Sequence, residues 1–310
     1  MMASLAYLQL ARVCDQKCLF CSNPANGGVM SLEEAFGWLA RFKAEGYDGV
    51  VLTGGEPALH PGLERVVARC AEEGLAVRLI TNGRRASEAG FLARLKAAGL
   101  AHLHVSVYSH RPEVAAALTG RGDALARAEA ALREAARLGI RVDVNTVLCR
   151  QNADHLSGLA AWVVERHPAV GHMVFNNMDP DMAPPGGAEA SRADFRDFEL
   201  ELARALTLLE RAGRTFRVER VPLCFLPGFE HCATETRRLA RGERRAVKFL
   251  DPRGLVVQKG LERYGKPARC LSCSLDALCA GVYGRGETYP LEQVCPVFVD
   301  ARAVAGRARA

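Results

Sequence analysis

The chain has 310 residues, 49% hydrophobic and 25% charged, and its 41 Lys and Arg against 35 Asp and Glu give a net charge of +6. This composition excludes a disordered or fibrous protein, and no stretch approaches the ~18 apolar residues of a membrane span. Residues 1–10 contain no basic leader, so we expect a cytoplasmic protein with no membrane partner. The small basic excess is only a weak sign of nucleic-acid binding and fits a solvated surface better.

Strands and helices alternate over the first two thirds of the chain. Apolar and β-branched runs predict six strands, at residues 3–13, 50–52, 76–81, 102–108, 141–148 and 172–176. Start and stop signals, such as the capping box Ser31-x-x-Glu34, predict six helices, at about 31–44, 61–73, 87–98, 123–138, 155–166 and 191–212. This alternation is typical of βαβ units around a parallel sheet and predicts an α/β fold.

Beyond about residue 213 the pattern changes to short strands, at 216–221, 247–250 and 255–258, with a hairpin turn at 251–254. We therefore predict a core over residues 1–212, a small Cys-rich C-terminal extension over 213–300 and a tail over 301–310. The tail is either a terminal helix or a frayed end.

Eleven cysteines occur in the chain, and in a reducing compartment clustered thiols are more often metal ligands than disulfides. Cys14, Cys18 and Cys21 follow the first predicted strand in C-x₃-C-x₂-C spacing. Three protein ligands leave one metal position open, whereas a structural zinc or a redox-only iron–sulfur cluster normally has a full set. The spacing therefore indicates a catalytic site that a substrate or cofactor completes.

Glycine and polar residues follow the other predicted strands at their carboxyl ends. They are Gly54, Gly55 and Glu56, then Asn82, Ser106 with Tyr108, Asn145, and Asn176 with Asn177. Ligands of parallel sheets bind at the carboxyl ends of the strands, so these residues are expected to share one site with Cys14, Cys18 and Cys21. Tyr108 and Cys149 fit packing better than catalysis.

The three cysteines with Phe20 before the last of them, together with Gly54-Gly55-Glu56-Pro57, resemble the radical S-adenosylmethionine (SAM) enzymes. The resemblance covers residues 3–212 and implies a partial (βα)₆ TIM-like barrel. It also implies that Cys14, Cys18 and Cys21 bind a [4Fe–4S] cluster with one open iron for SAM. An electron passed to the sulfonium would then release a 5′-deoxyadenosyl radical that abstracts hydrogen.

The same resemblance implies contacts to SAM and an electron donor. Gly54, Gly55 and Glu56 would meet the methionyl ammonium, the Phe20 backbone would meet adenine, and Ser106 and Asn145 would bond the ribose or carboxylate. Asn82 and Asn176 are weaker candidates. The electron would come from a carrier such as a flavodoxin or ferredoxin.

A second cysteine group, Cys270-x₂-Cys273-x₅-Cys279, resembles part of the auxiliary-cluster extensions called SPASM and twitch domains. The full seven-cysteine SPASM pattern is absent, so one auxiliary [4Fe–4S] cluster is expected. Its fourth ligand is Cys224, Cys232, Cys295 or the substrate, and Cys224 is favoured because it lies in an irregular segment close after residue 213. A structural zinc held by the same thiols is the alternative.

The resemblance predicts a maturase or oxidoreductase acting on a peptide, a protein or another bulky substrate, and a small-molecule substrate is kept as a further alternative. Two alternatives are an RNA- or nucleotide-modifying radical SAM enzyme and a non-enzymatic, zinc-binding interaction protein. The motifs concern SAM, so they do not indicate which hydrogen is abstracted.

Overall fold

The computed structural model describes residues 4–243, 245–258 and 261–310. Its main sheet has nine strands, ordered β7-β6-β5-β4-β3-β2-β1-β8-β9. The strands are β1 Leu5–Ala11, β2 Gly49–Gly54, β3 Ala76–Thr81, β4 His102–Ser106, β5 Arg141–Leu148, β6 Val170–Asn177, β7 Thr215–Glu219, β8 Arg245–Lys248 and β9 Leu255–Gln258. All neighbours from β7 to β8 pair in parallel, and β9 closes an antiparallel hairpin with β8.

Helices cover the outer face of this sheet, and a two-stranded sheet follows it. The helices are α1 Leu32–Ala44, α2 Leu63–Glu72, α3 Phe91–Ala97, α4 Pro112–Thr119, α5 Ala124–Arg137, α6 Leu156–Arg166, α7 Gly187–Ser191, α8 Phe195–Arg211, α9 Thr234–Arg241 and α10 Ala301–Arg309. The small sheet pairs β10 Tyr264–Gly265 with β11 Val282–Tyr283. Among the described helices, none combines the length and the apolarity that crossing a bilayer requires.

The two faces of the main sheet differ because side chains alternate along a strand. The outer face is apolar and packs under the helices; it includes the fully buried Leu8, Leu52, Leu79, Leu103 and Val144. The opposite face, called the inner face below, is polar at corresponding positions of the same strands, including Arg78, His104, Asp143, Asn145 and Arg217. An apolar core thus supports a polar interior in which ligands and ion pairs can be held.

The predicted α/β fold with a parallel sheet is confirmed. The six predicted strands correspond to β1–β6, and the predicted limits 76–81 and 141–148 agree with β3 and β5. Residue 3, the predicted start of the first strand, lies outside the described residues.

The extent of the sheet and one helix differ from the predictions made from sequence, and the tail takes the helical one of its two predicted forms. The sheet continues past the sixth strand, because β7 pairs with β6 and β8 pairs with β1. Helix α4 was not predicted, although Pro112 at its first turn and the left-handed Gly120 after its last are ordinary start and stop signals. The tail forms α10, capped by Asp300. The division at residue 213 stays a prediction.

Candidate active site

The Cys loop, residues 14–21, lies at the carboxyl end of β1 and is tied to the end of α4. The Lys17 amide donates to the Thr119 carbonyl at 2.9 Å, and the Leu19 amide donates to the Leu118 carbonyl at 3.0 Å. Gly187 packs so closely on the Leu19 carbonyl that a Cβ there would overlap it. Helices α4 and α7 therefore fix the backbone that carries the three thiols.

The thiols of this loop are free and partly buried. In the described residues, only His102, His104 and Asp143 form a group of three ligands whose atoms all lie within 4.8 Å of one another. Tetrahedral zinc, with Zn–S bonds of ~2.3 Å, would hold its sulfurs about 3.8 Å apart. Neither cysteine group meets the 4.8 Å limit, and three thiols that leave a fourth position open fit a cluster completed by another ligand better than a structural zinc ion.

Burial disfavours negative charge on these thiols. It raises the pKa of Cys14 to about 11, and it raises the pKa of Cys18 further, with Cys21 and Cys14 adding to the effect. Thiolates are the form that binds metals. A cationic cluster is therefore the partner that would stabilise three thiolates in this position.

The segment after β2 is hydrogen-bonded to the chain just before Cys14. The Gly55 amide donates to the Ala11 carbonyl at 2.6 Å, and the Glu56 amide donates to the Val13 carbonyl at 2.8 Å. A Cβ at Gly54 would overlap the Ala11 carbonyl oxygen, and Gly54 also has a φ of 139°. Here glycine allows one strand end to approach another.

The Glu56 carboxylate is buried and bonded at both oxygens. Its Oε1 accepts from Thr81 Oγ1 at 2.7 Å and from the Ala58 amide, and its Oε2 accepts from the Asn82 amide at 2.7 Å. Burial raises the pKa of Glu56 to about 7. The carboxylate thus joins the ends of β2 and β3, and its predicted contact with the methionyl ammonium stays a prediction.

Sequence reasoning missed a charged group beside the Cys loop. Asp15 accepts from Asn82 Nδ2 at 2.7 Å and from Arg84 Nε at 3.0 Å, and Arg84 also pairs with Asp123. Asp15 lies within the cysteine motif and Arg84 lies two residues after Asn82, which are the signals that could have drawn attention to them. The pairing places Asn82 beside the Cys loop.

Ser106, Asn145 and Phe20 lie at the same rim as the Cys loop. Ser106 and Asn145 are register partners on β4 and β5, and Asn176 Nδ2 donates to Asn145 Oδ1 at 2.5 Å. The buried Phe20 ring packs edge-on against Tyr108 at 4.6 Å between centroids, and the Tyr108 side chain is hydrogen-bonded to Ser106. The structure therefore brings the predicted SAM-site residues together, while their individual roles stay predictions.

The second cysteine group forms a separate, largely apolar pocket. Five cysteines line this pocket: Cys224, Cys270, Cys273, Cys279 and Cys295. Cys232 does not line it and lies buried in the hydrophobic core. The pocket thus offers Cys224 and Cys295 as additional ligands beside the predicted trio.

A buried polar network joins the ends of β6 and β7 to the C-terminal extension, and sequence reasoning did not find it. Asp179 accepts from the Tyr283 hydroxyl at 2.5 Å, and Arg220 Nε donates to the Asn177 carbonyl at 2.7 Å. Arg220 has a φ of 61°, which is unusual for a residue with a side chain. The Tyr264 hydroxyl donates to Glu235 at 2.8 Å. These contacts hold the extension against the carboxyl end of the sheet.

Comparisons with known proteins identify a family and several similar proteins. A family model described as the Radical SAM superfamily matches residues 8–163. The PqqA peptide cyclase of Xanthomonas axonopodis pv. citri (strain 306) is 32% identical over 162 residues, which is 51% of this chain and 43% of that protein. The PqqA peptide cyclase of Methylocella silvestris (strain DSM 15510) is 32% identical over 150 residues, or 47% of this chain and 40% of that protein. The match therefore spans less than half the length of these relatives.

Solved structures of similar fold cover nearly the whole chain. Streptococcus suis SuiB bound to S-adenosylmethionine aligns with a TM-score of 0.67 at 16% identity, over 96% of this chain and 78% of that one. Native anSMEcpe with bound AdoMet and Cp18Cys peptide aligns with a TM-score of 0.65 at 15% identity, over 98% and 95%. At such identities the likeness concerns the fold, and it confirms the predicted fold class, a partial TIM-like barrel with an open sheet.

Proposed function

Because the chain belongs to the radical SAM superfamily, we propose that it is a radical SAM enzyme that modifies a peptide, a maturase of the oxidoreductase type. The observation that carries this proposal is the Cys loop. Its three thiols lie at the carboxyl end of β1 and share a rim with Gly54–Glu56, Ser106 and Asn145. The donor set and its spacing fit a [4Fe–4S] cluster with one iron left for SAM.

Cys14, Cys18 and Cys21 would hold this cluster, and the neighbouring strand ends would hold SAM. Bound together, the cluster and SAM supply a 5′-deoxyadenosyl radical that abstracts hydrogen from the substrate. Gly54 and Gly55 keep the strand ends in close contact, and Asn82 is held beside the loop by Asp15. Phe20 and Tyr108 pack together beneath the loop and exclude water from that side of the site.

A peptide is the substrate class that the relatives favour. The relatives of about 32% identity are PqqA peptide cyclases, and two neighbours of similar fold were solved with peptides, SuiB with the precursor peptide SuiA and anSMEcpe with Cp18Cys peptide. The five-cysteine pocket would hold one auxiliary [4Fe–4S] cluster through Cys270, Cys273, Cys279 and Cys224, with Cys295 as the alternative fourth ligand. The electron would come from a flavodoxin or ferredoxin in a reducing cytoplasm that keeps all eleven cysteines as thiols.

Anaerobic reconstitution followed by SAM cleavage under dithionite tests this proposal. We expect about eight irons per chain from two clusters, and release of 5′-deoxyadenosine. The triple variant Cys14→Ala, Cys18→Ala, Cys21→Ala should lose about half of the iron and all SAM cleavage. A matched control is Cys70→Ala, which removes a buried thiol of the hydrophobic core and should retain both properties.

The peptide class needs its own experiment. Small peptides encoded beside the gene should be incubated with the loaded enzyme and SAM, and tandem mass spectrometry should locate a mass change on one residue. A colourless protein that binds only zinc and cleaves no SAM would contradict the enzymatic proposal. An active SAM-cleaving enzyme that modifies RNA and no peptide would contradict the peptide class alone.

A further inference from the structure

Two histidines and an aspartate meet on the inner face, at the amino ends of the strands and away from the Cys loop. His102 and His104 lie two residues apart on β4, so both side chains lie on one face, and Asp143 is the register partner of His104 on β5. Ligands of this fold class bind at the opposite ends of the strands. The group therefore lies outside the site described above.

The three side chains lie close enough to share one ion. Asp143 Oδ2 lies 2.7 Å from His102 Nε2 and 3.6 Å from His104 Nδ1, and the two imidazole rings stack with centroids 4.4 Å apart. Nitrogen and oxygen ligands of tetrahedral zinc, bound at ~2.0–2.1 Å, lie about 3.3–3.4 Å apart. The two separations from Asp143 bracket that value, and all three ligand atoms lie within 4.8 Å of one another, so small side-chain shifts would complete the geometry.

One oxygen in this cluster lacks the partner that burial normally requires. Asp143 is 2% exposed, and its Oδ1 has no hydrogen bond in the part of the chain that the structure describes. Arg141 Nε lies 3.8 Å from this oxygen, beyond hydrogen-bond distance, on a side chain that is 65% exposed. His104 stacks on His102, and its Nδ1 lies 3.6 Å from Asp143 Oδ2, also beyond hydrogen-bond distance. A buried carboxylate oxygen without a hydrogen bond is costly, and a bound cation would supply its partner.

We propose that His102, His104 and Asp143 form a binding site for a divalent transition-metal ion, with zinc as the best fit. Imidazole nitrogens and one carboxylate are a donor set that zinc accepts readily. The ion replaces the hydrogen bond between His102 and Asp143, and the proton on His102 Nε2 moves to Nδ1 so that Nε2 can bind. Asp143 Oδ1 is then available to the metal as well.

His172 on β6 is the next histidine on the same face. It is the register partner of Asp143, its Nδ1 lies 2.8 Å from Thr215 Oγ1, and Thr215 Oγ1 lies 3.2 Å from the Gly171 carbonyl oxygen, to which it can donate. When Thr215 donates to Gly171, His172 Nδ1 carries the proton and Nε2 has the lone pair that a metal needs. A bound ion would tie β4 to β5, with β6 or a water in the fourth position, and so brace the amino end of the sheet.

Anomalous diffraction from crystals of the wild-type protein, loaded with both clusters and soaked in chelator-buffered zinc, tests the site directly. Data collected on either side of the zinc absorption edge should give a zinc-specific peak between His102, His104 and Asp143. A zinc-specific signal that is absent, or confined to the cysteine pockets, would overturn the proposal. Because this readout needs no catalysis, it is independent of whether the enzyme proves to modify peptides.

Variants give a second measurement in solution. After dialysis against buffered zinc, His104→Asn and Asp143→Asn should each hold about one zinc per chain less than wild type at unchanged iron content. The matched control is His167→Asn, which alters another buried histidine with an unbonded ring nitrogen, Nε2, and should bind zinc like wild type. Equal zinc content in all four proteins would refute the site. If a variant does not fold, the diffraction experiment on wild type still decides.

Discussion

Gly54 carries a requirement that only glycine can meet. Its φ of 139° lies in a region that L side chains avoid, and a Cβ would overlap the carbonyl oxygen of Ala11. The strain would fall on the backbone that leads into the Cys loop. The two-glycine motif is therefore needed for the contact between β1 and β2, whatever it also does for a ligand.

We predict that Gly54→Ala lowers the free energy of unfolding by about 2–4 kcal/mol, because strain and overlap add. Iron uptake by the Cys loop should fall in parallel. Gly37→Ala is the control: Gly37 lies inside α1 with nothing within 4 Å of its Cβ position, so alanine should stabilise by about 0.5–1 kcal/mol. Urea unfolding measures both changes, and a neutral Gly54→Ala would disprove the requirement.

Asp251 stabilises the segment before the Cys loop through Arg12. Arg12 is 5% exposed. Its Nη1 donates to Asp251 Oδ2 at 2.7 Å, and its Nε donates to the Pro24 carbonyl. Hydrogen bonds from Arg253 and Arg12 hold the pKa of Asp251 well below its usual range. The hairpin turn between β8 and β9 is thereby fastened to the end of β1.

A carboxyl pKa that folding lowers gives a defined dependence of stability on pH. The contribution of Asp251 is fully present above its unfolded pKa of about 3.9 and is lost as the pH falls through the lower folded-state pKa. We predict that Asp251→Asn costs about 1.5–3 kcal/mol at pH 7 and less below pH 4. Urea unfolding at several pH values checks this, and a cost that does not change with pH would contradict the assignment.

The candidate site was predictable residue by residue only where chemistry follows from local spacing. The cysteine motif and the glycine motif each lie within a few residues of the chain, so both can be recognised from the sequence. Asp15, Arg84, Asp179 and Arg220 do not, because each acquires its partner from a distant segment, as Arg84 does from Asp15 at 69 residues' separation. Long-range pairing of this kind leaves no periodic signal in one sequence.

At the scale of elements, helix α1 shows what a motif specifies and what it leaves open. Ser31 Oγ accepts from the Glu34 amide at 3.1 Å, which confirms half of the predicted capping box. The Glu34 carboxylate instead lies 3.6 Å from Lys248 Nζ on β8. A tertiary partner thus competes with the local one, and the local motif cannot reveal it.

Ser31→Ala should destabilise the protein by about 1 kcal/mol, because the first turn of α1 loses the acceptor for one of its amides. Ser31→Asp keeps an acceptor at the same position and should retain wild-type stability. Equilibrium urea unfolding of the three proteins measures the difference. Equal losses in both variants would show that the hydroxyl acts elsewhere.

The strand predictions identified which segments form strands but did not give the neighbour of each strand in the sheet. Strands β3 and β5 are bounded by clear turns and stops, so their limits follow from sequence. Strand β7 was predicted as a strand, yet its place beside β6 depends on α8 returning the chain to the sheet edge. A sequence pattern therefore indicates that a segment forms a strand more readily than it indicates which strand pairs with it.

At the scale of the whole molecule, two groups of cysteines are held by the main sheet and the segments that pack against it. The first lies at the end of β1, and the second is enclosed by segments around Cys224, Cys270–Cys279 and Cys295. Contacts such as Tyr283 to Asp179 and Tyr289 to Asn177 fix the second region against the sheet. The two groups therefore consist of different cysteines, and the end of β6 connects the regions that hold them.

We predict that the double variant Cys270→Ser, Cys273→Ser loses about half of the iron. It should still cleave SAM in the absence of peptide, because Cys14, Cys18 and Cys21 are intact. Iron analysis and 5′-deoxyadenosine release are the measurements. Cys232→Ser, outside the pocket, is the control and should keep all of the iron. Complete loss of iron in the double variant would mean that the sites do not assemble independently.

The hydrogen bonds from the Cys loop to Leu118 and Thr119, and its contact with Gly187, also set an order of events during synthesis. The ribosome makes the loop first, but the residues that shape it emerge roughly 100 to 170 positions later. At about 5–20 residues per second, the three thiols wait on the order of ten seconds before their binding geometry exists. A cluster that requires this geometry would therefore be inserted only after the chain as far as Gly187 has been made.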